Sequence, residues 1–325
     1  MPPPVDTAAL TPAGTTARAG VSNVGDRAWA AALVVFGGAV MVIAGLILLE
    51  LARESAPAWQ RIGLLRFLVS SDWDPVQQKY GALPFIYGTL VTSMIAIAVA
   101  VPVAVGLALF LSEMGPKRLR PPVAFAIEVL AAIPSVIFGL WGLFVMVPWL
   151  RTTVQPALQS AFGFLPLFQG PPIGLGYLAA GLILAVMILP TISSVTNEVL
   201  KTVPLALKEG ALALGATRWE AIRMAVLPYA RPGIVGATLL GLGRALGETM
   251  AVTMVIGNSP EIHASLFAAG YSLPAVIANE FAEATSDVYI GALAALGLVL
   301  FGVTLILNAA AQVLVRMVAR GPRRA

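Results

Sequence analysis

Long apolar stretches with almost no charges run through this sequence, and they limit the chain to very few fold types. Charged residues make up only 11% of the 325 residues and hydrophobic residues 58%, whereas about 25% of the residues in a typical soluble domain are charged. So few charges cannot supply the polar surface that a soluble protein of this length needs. The sequence therefore predicts a chain whose outer surface faces lipid.

The continuity of the apolar stretches favours helices over a β-barrel. Barrel strands alternate apolar and polar residues over short runs, whereas unbroken apolar runs of this length cross a hydrocarbon core of about 30 Å as helices. We predict an all-α, polytopic integral membrane protein with six transmembrane helices. The predicted spans cover residues 29–49, 83–111, 122–150, 173–195, 233–256 and 288–315.

The two ends of the chain differ in composition from the rest. Residues 1–26 are rich in Pro, Ala, Thr and Gly without a helical period, and we predict a disordered cytoplasmic tail there. Residues 27–320 then form the transmembrane domain, and residues 321–325 a cytoplasmic C-terminal tail. The sequence at 56–58 resembles a signal-peptide cleavage site, but the length and late start of the first span favour a retained helix.

The distribution of Lys and Arg predicts the orientation of the spans. With the amino terminus inside, fourteen of the twenty basic residues fall in inner segments, one lies within a span, and five fall in outer loops: Arg53, Arg61, Arg66, Lys79 and Arg151. Inner loops of membrane proteins carry the excess of Lys and Arg. We therefore predict that both termini are cytoplasmic, and that the net charge of +4 reflects topology and not nucleic-acid binding.

A long inner segment, at about residues 198–231, separates the fourth and fifth predicted spans. Within it, the sequence EGALALGATRWEAIRMAVLP runs from Glu209 to Pro228. Its periodicity predicts an amphipathic helix over residues 209–223 with Arg218, Glu220 and Arg223 on the charged face. Periodicity alone favours a helix that lies on the inner leaflet.

The order of residues in this segment resembles the EAA loop of ABC-type import permeases. In that loop, Glu-Ala-Ala is followed after three residues by Gly, and nine residues later by Ile-x-Leu-Pro. The matching residues here are Glu209, Ala211, Gly215, Leu227 and Pro228, while Gly210 and Ala225 replace an Ala and an Ile. The resemblance implies that the segment docks against a separate ATPase subunit.

The chemistry of the loop residues agrees with such a role. Gly215 permits a turn and a close approach of another backbone, and Glu209 places a carboxylate near a helix start. We expect Pro228 to end the segment before the fifth span. These features predict a coupling loop made of Glu209, Gly210, Ala211, Gly215, Leu227 and Pro228.

Several catalytic and metal-binding patterns are absent from the sequence. No cysteine and only one histidine, His263, are present, so thiolate and multi-histidine metal sites are excluded. No G-x-x-x-x-G-K-[ST] phosphate loop occurs. We therefore expect a translocation subunit that is not an enzyme and holds no cofactor, with ATP and Mg²⁺ bound by a partner ATPase.

Two charged residues lie inside the fifth predicted span. Arg244 follows Arg231 by thirteen residues, about 20 Å along a helix, which places it near the middle of the membrane. Glu248 comes four residues later, on the same helical face if the helix is continuous. A charge at this depth costs at least about 2.5–3.5 kcal/mol, so both side chains should face the protein interior or a water-filled cavity.

Two interpretations of this pair remain open at the level of sequence. The two charges could neutralise each other and hold helices together. Alternatively, the Arg244 guanidinium could present two donors to a phosphate, with Glu248 accepting a proton from monohydrogen phosphate, which sulfate does not carry. Gly243 and Gly247 favour helix packing, and Glu128, about six residues into the third predicted span, is a weaker candidate for transport.

Four sequence segments together indicate the family. They are YGALPFIYGTL at 80–90, AAIPSVIFGLWGLF at 131–144, the coupling loop, and RALGETMAVTMVIGN at 244–258. From the second span to the C-terminus, the chain resembles the PstC-type permeases of bacterial phosphate-specific ABC transporters, within the binding-protein-dependent import permeases. The resemblance implies an ABC importer type I permease fold in the bacterial inner membrane, with inorganic phosphate as cargo.

The resemblance also implies partners and site residues. The partners are a homologous second permease, two ATPase subunits inside and a phosphate-binding protein outside, and the transport pair is Arg244 and Glu248. Alternatives remain: the sister permease, a permease for molybdate or sulfate, an ATP-independent ion-coupled transporter or channel, or a sensor subunit of the same complex.

Overall fold

Apolar helices form almost all of the structure. The computed structural model describes residues 23–319, with side chains for residues 25–313. Within these residues, six helical segments are long and apolar enough to cross a membrane, which confirms the predicted all-α fold with six spans. They are Gly25–Glu54, Leu83–Met114, Ser135–Phe162, Tyr177–Lys201, Arg218–Leu246 and Asp287–Val313.

Several of these spans consist of more than one helix. The α-helices are α1 (Asn23–Glu54), α2 (Ala56–Ile62), α3 (Leu64–Val69), α4 (Leu83–Leu109), α5 (Arg120–Ala132), α6 (Ser135–Trp141), α7 (Val147–Trp149), α8 (Gln155–Phe162), α9 (Tyr177–Lys201), α10 (Leu205–Ala213), α11 (Arg218–Ala221), α12 (Leu227–Leu246), α13 (Met250–Ile256), α14 (Leu273–Glu280) and α15 (Asp287–Ala319). Turns of π-helix at Phe110–Met114, Gly142–Met146, Leu150–Val154 and Ile222–Val226 connect helices within the spans.

Helix α1 forms a unit of its own as far as Glu50. Its large apolar side chains are exposed, including Trp29 and Phe36. An apolar helix with so little buried surface is typical of a helix surrounded by lipid.

Helices α4 and α9 form the centre of the remaining unit. Ala96, Ala100 and Ala104 lie at intervals of four on α4 and are fully buried. On α9, a Cβ added at Gly181 would lie 2.5 Å from the Ile95 side chain. Small residues at such contacts let helix backbones approach closely, which is how helices pack in a membrane.

A smaller apolar cluster lies at each end of this unit. The end that carries α10, here called the coupling end, packs Leu200, Val203, Ile222 and Val226 together. The opposite end, here called the far end, carries α2, α3 and α14. There, the Glu280 carboxylate accepts hydrogen bonds from Trp73 Nε1 (2.9 Å) and Tyr289 Oη (2.7 Å), which tie the loop before α4 to α14 and α15.

The third predicted span was placed too early in the chain. The structure ends α5 at Ala132 and starts the membrane-spanning segment at Ser135. Between them, Ile133 is extended with ψ 126°, because the ring of Pro134 disfavours helical backbone at the preceding residue. Glu128 therefore lies on α5, where it is exposed, and not inside the third span.

The fifth predicted span was also displaced. Its helical segment begins at Arg218 and runs through Pro228, so the expectation that this proline ends the preceding segment was wrong. The π-helical turn at Ile222–Val226 directly precedes the proline and changes the hydrogen-bond register where its missing N–H would interrupt the ladder. The segment ends at Leu246, and α13 begins only at Met250.

Helix α14, at Leu273–Glu280, lies in the connection between the fifth and sixth spans. The single amphipathic helix predicted over 209–223 was wrong, because α10 ends at Ala213 and α11 starts at Arg218. The N-terminal tail was predicted to extend to residue 26, but α1 already begins at Asn23. The rest of that tail and the C-terminal tail predicted at 321–325 lie outside the described residues.

Candidate functional site

The coupling loop contains a short exposed helix and a tight turn. Glu209 and Gly210 are exposed on α10, and Ala211 is half-buried. Gly215 follows in the left-handed region with φ 88°, and no other atom would lie within 4 Å of an added Cβ. The glycine is thus needed for backbone conformation and not for packing within this chain.

The turn ends at a well-defined helix start. The Thr217 hydroxyl accepts a hydrogen bond from the Glu220 backbone N–H, and the Glu220 carboxylate accepts one from the Thr217 backbone N–H at 2.7 Å. This reciprocal capping fixes α11 directly after the Gly215 turn. It explains why one continuous helix does not form here.

Leu227 and Pro228 lie apart from the exposed part of the loop. Leu227 packs against the apolar cluster of the coupling end, and Pro228 is exposed on the first turn of α12. The predicted coupling residues are therefore divided between a surface loop, at Glu209 to Gly215, and the start of a membrane helix.

Large apolar side chains surround the loop without being covered by this chain. The fraction of Leu214 that is exposed reaches 91%. The others are Leu205, Leu207, Leu212, Trp219 and Met224. Exposed apolar groups collected around charged residues are typical of a protein interaction site.

An ion pair that the sequence did not reveal joins the coupling helix to the second span. Lys208 on α10 donates a short hydrogen bond to Glu113, which lies in the π-helical turn that follows α4. Both side chains are mostly buried, and both line a cavity with Leu212 and Arg218. The two residues are 95 positions apart, so spacing gave no sign of the pair.

The two charges of the fifth span lie on either side of a helix break. Arg244 is in the last turn of α12, whereas Glu248 lies in the non-helical connection to α13. Glu248 Oε1 accepts a hydrogen bond from the Ala251 N–H at 3.2 Å and so caps α13. The expected placement on one continuous helical face was wrong, because the chain leaves the helix at Gly247, a residue with poor helix propensity.

No ion pair joins Arg244 and Glu248 among the residues described. Other charged residues do form ion pairs, such as Lys201 with Glu198 and Lys208 with Glu113. The Arg244 side chain is exposed within this chain, and Glu248 is half-buried. A self-contained pair that only neutralises two buried charges therefore does not describe this arrangement.

The packing of α12 separates a covered face from an uncovered one. Ala237, Gly241 and Ala245 are buried at intervals of four, and a Cβ added at Gly241 would lie 2.6 Å from Ile192 of α9. On another face of α12, Gly243 and Arg244 do not pack against other parts of the chain. A Cβ added at Gly243 would meet no atom within 4 Å. The packing predicted for Gly243 therefore does not occur within the chain.

The helix break also has a chemical consequence. Backbone N–H and C=O groups released from a helix at membrane depth need polar partners, so such breaks occur where the backbone is buried in protein or lines a water-filled cavity. Here the break carries a guanidinium and a carboxylate. The arrangement offers donors to an anion at Arg244 and an acceptor for a hydrogen bond from a protonated anion oxygen at Glu248.

Comparison with known proteins identifies the family. The family of binding-protein-dependent transport system inner membrane components matches residues 100–321, which is more than half of the chain. The chain belongs to this family. The description of an inner membrane component agrees with the six helical segments that are long and apolar enough to cross a membrane.

Curated relatives are similar over most of their length. A protein of Mesorhizobium japonicum named phosphate transport system permease protein PstC is 52% identical over 86% of this chain and 87% of the relative. A second relative, from Methanocaldococcus jannaschii, is named a probable phosphate transport system permease protein PstC. It is 38% identical over 78% of this chain and 82% of the relative's length.

Solved structures of ABC importers share the fold at low sequence identity. A bacterial alginate ABC transporter, solved with an alginate pentasaccharide-bound periplasmic protein, contains a chain with TM-score 0.62 and 18% identity that covers 91% of this chain and 96% of that one. A chain of the MetNI methionine ABC transporter in an inward-facing conformation gives TM-score 0.53 at 22% identity, over 74% of this chain and 95% of that one.

Proposed function

We propose that this chain is a membrane permease subunit that carries inorganic phosphate through an ATP-driven importer. The observation that carries the proposal is the 52% identity, over 86% of the chain, to a relative named a phosphate transport system permease. The sequence RALGETMAVTMVIGN around Arg244 adds chemistry suited to a phosphate.

ATP hydrolysis is assigned to separate subunits that bind at the coupling end. The exposed turn at Gly215 and the uncovered apolar side chains around it, such as Leu214, supply a surface for such a partner. The Lys208–Glu113 ion pair supports this role, because it connects α10 to the second span and so carries movement of the docked loop into the membrane. ATP and Mg²⁺ belong to that partner.

The translocation site is assigned to the helix break at Arg244 and Glu248. The uncovered face of α12 that carries Arg244 is the surface where a homologous second permease would complete a pathway. In that setting Arg244 would meet the passing anion, and Glu248 would accept a hydrogen bond from its protonated oxygen or stay bonded to α13. The far end would receive a phosphate-binding protein, with both termini of the chain in the cytoplasm.

Uptake by the assembled transporter tests the function. The complete complex in proteoliposomes, with binding protein and phosphate outside and ATP inside, should accumulate radiolabelled phosphate, and an excess of unlabelled phosphate should compete. Excess molybdate or sulfate should not compete. Competition by either oxyanion would assign a different cargo, and uptake that persists without ATP would assign an ion-coupled transporter.

A further inference from the structure

A cavity with an unusual number of basic side chains lies at the far end, outside the predicted spans. Arg61, Arg66 and Lys79 line it, together with Ser70, Asp72 and Gln78, which add polar groups. These three cations are among only five basic residues that the charge distribution assigns to the outer loops. Outer loops carry few Lys and Arg, so the presence of three around one cavity needs an explanation.

The local fold brings these cations together. Arg61 is in the last turn of α2 and Arg66 in the last turn of α3, and Gly63 joins the two helices with φ 83°. Lys79 closes a tight turn in which its backbone pairs with that of Asp74 at 2.9 and 3.0 Å. Gln78, beside it, lies in the left-handed region with φ 54°, a conformation that is strained for a residue with a side chain.

No carboxylate forms an ion pair with any of the three cations in the part of the chain that the structure describes. Asp74 Oδ1 accepts hydrogen bonds from the backbone N–H groups of Val76 and Gln77, at 2.9 and 3.0 Å. The Glu280 carboxylate accepts hydrogen bonds from the side chains of Trp73 and Tyr289. Asp72 is then the one acidic residue lining the cavity, against three basic ones.

The buried wall of the cavity carries a further polar group. Tyr80 is only 2% exposed, and its ring stacks with Tyr289 at a centroid distance of 5.5 Å. Burial raises the pKa of the Tyr80 hydroxyl, while the Ser286 side chain and the positive charge of Arg61 act in the opposite direction. Tyr80 and Arg61 both line the cavity, and the hydroxyl stays protonated at neutral pH.

We propose that this cavity binds a phosphoryl anion, supplied either by the headgroup of an anionic phospholipid or by free phosphate. Two guanidinium groups and an ammonium group are the side chains that bind phosphoryl oxygens best. The exposed apolar side chains of Leu64, Leu65 and Val69 on α3 surround Arg66 and give acyl chains a surface beside the cavity. The proposal does not depend on which cargo crosses the membrane.

Binding to defined anions tests the proposal. The assembled transporter is purified in detergent, stripped of lipid and titrated with phosphatidylglycerol or with inorganic phosphate, and adducts are counted by native mass spectrometry. In Arg61→Gln with Arg66→Gln, we expect at least about a 10-fold weaker affinity for one of the two anions, because two charge-assisted contacts are lost. The anion that loses affinity identifies the source.

Two matched variants control the experiment. Arg151→Gln removes a cation of the third helical segment, Ser135–Phe162, that does not line this cavity. This variant should bind both anions as the wild type does. Arg61→Lys with Arg66→Lys keeps the charge and should retain most of the affinity. If the double Gln variant does not assemble, the single change Lys79→Gln in the exposed turn carries the test. Unchanged affinity of the Gln variants for both anions would overturn the proposal.

Discussion

Arg244 and Glu248 are each stabilised by the backbone near them and not by each other. Arg244 lies in the last turn of α12, where a positive charge is favoured by the helix dipole, and Glu248 caps α13. Because both charges are stabilised locally, the protein should tolerate the loss of either one. Transport should not tolerate it, since the anion would lose its cation.

Replacing both charges tests this distinction. We expect Arg244→Gln with Glu248→Gln to insert and assemble, but to reduce phosphate uptake by at least about tenfold, because a charge-assisted contact to the anion is lost. Uptake of radiolabelled phosphate at matched membrane abundance measures the effect. Uptake equal to that of the wild type would show that the two charges are only structural.

A charge exchange gives a second measurement at the same two residues. Arg244→Glu with Glu248→Arg keeps the net charge but moves the cation from the end of α12 into the connection, by roughly 5–6 Å if the chain stayed helical. It also removes the carboxylate that caps α13. We expect an assembled transporter without uptake, whereas restored uptake would mean that the position of the cation is unimportant.

The sequence singled out these two charges but not their geometry. Counting residues from Arg231 predicts that Arg244 lies near the middle of the membrane, and this depth stays a prediction. The break at Gly247 was missed because the apolar pattern continues across it into α13, and hydropathy does not record a change of backbone direction. The sequence feature that could have indicated the break is Gly247, a residue with poor helix propensity, directly before the charged Glu248.

At the scale of elements, the coupling loop depends on a left-handed turn. The φ of 88° at Gly215 is unfavourable for most residues, although Asn and Asp tolerate it best. Any larger residue therefore changes the backbone and the surface together. A pair of substitutions with the same shape separates these two effects.

Gly215→Asp and Gly215→Asn form such a pair. We expect both proteins to fold and insert, and we expect only the Asp variant to lose most substrate-stimulated ATP hydrolysis, because it would bury a charge against the ATPase. Hydrolysis by the purified complex, with and without loaded binding protein, measures this. Equal activity of the Asp variant and the wild type would contradict a docking role for the turn.

The Lys208–Glu113 ion pair should transmit movement between the loop and the second span. Lys208→Glu removes a charge-assisted hydrogen bond worth about 1.5–3 kcal/mol and places two carboxylates together. We expect ATP hydrolysis to continue while phosphate uptake per ATP falls, and Lys208→Glu with Glu113→Lys should restore the coupling. Both rates are measured in proteoliposomes.

A second ion pair on the same side of the protein provides the control. Lys201 and Glu198 also form an ion pair, but their side chains are 57% and 67% exposed. Exposed pairs contribute little, so Lys201→Glu should leave the ratio of uptake to hydrolysis unchanged. An equal effect of the Lys201 and Lys208 changes would indicate a general response to charge and not coupling through α10.

The elements themselves were predicted unevenly from the sequence. Spans with long runs of apolar residues, such as Leu83–Met114, were found to within a few residues. The third and fifth were displaced because prolines act differently by context: Pro134 separates two helices, whereas Pro228 lies within a continuous segment. That difference depends on the π-helical turn before Pro228, which sequence patterns do not specify.

At the scale of the whole molecule, two surfaces at opposite ends carry the contrasting features of this chain. The coupling end has exposed apolar groups around α10, whereas the far end carries the basic cavity and the Glu280 hydrogen bonds. The proposed function requires the coupling end to face the cytoplasm. The orientation predicted from Lys and Arg gives the same direction.

Single cysteines can test this orientation, because the natural chain has none. Cysteines at Ser160 and Glu261, both exposed at the far end, should react with a membrane-impermeant maleimide applied outside cells. A cysteine at Leu214, which is 91% exposed, should react only after the membrane is opened. Labelling of Leu214→Cys in intact cells would reverse the orientation and exclude an intracellular ATPase at this loop.

The break between α12 and α13 gives the fifth span a joint. On one side, α12 lies against α9 through Gly241; on the other, α13 lies against α6, where a Cβ added at Gly139 would be 2.6 Å from Met254 Sδ. The two halves are thus anchored to different neighbours, with regular helical hydrogen bonding already interrupted between them. A rotation of either half would change the distance from the Arg244 guanidinium to the Glu248 carboxylate without unwinding a helix. We therefore expect movement of the coupling loop to change this distance, and with it the affinity of the proposed site for an anion.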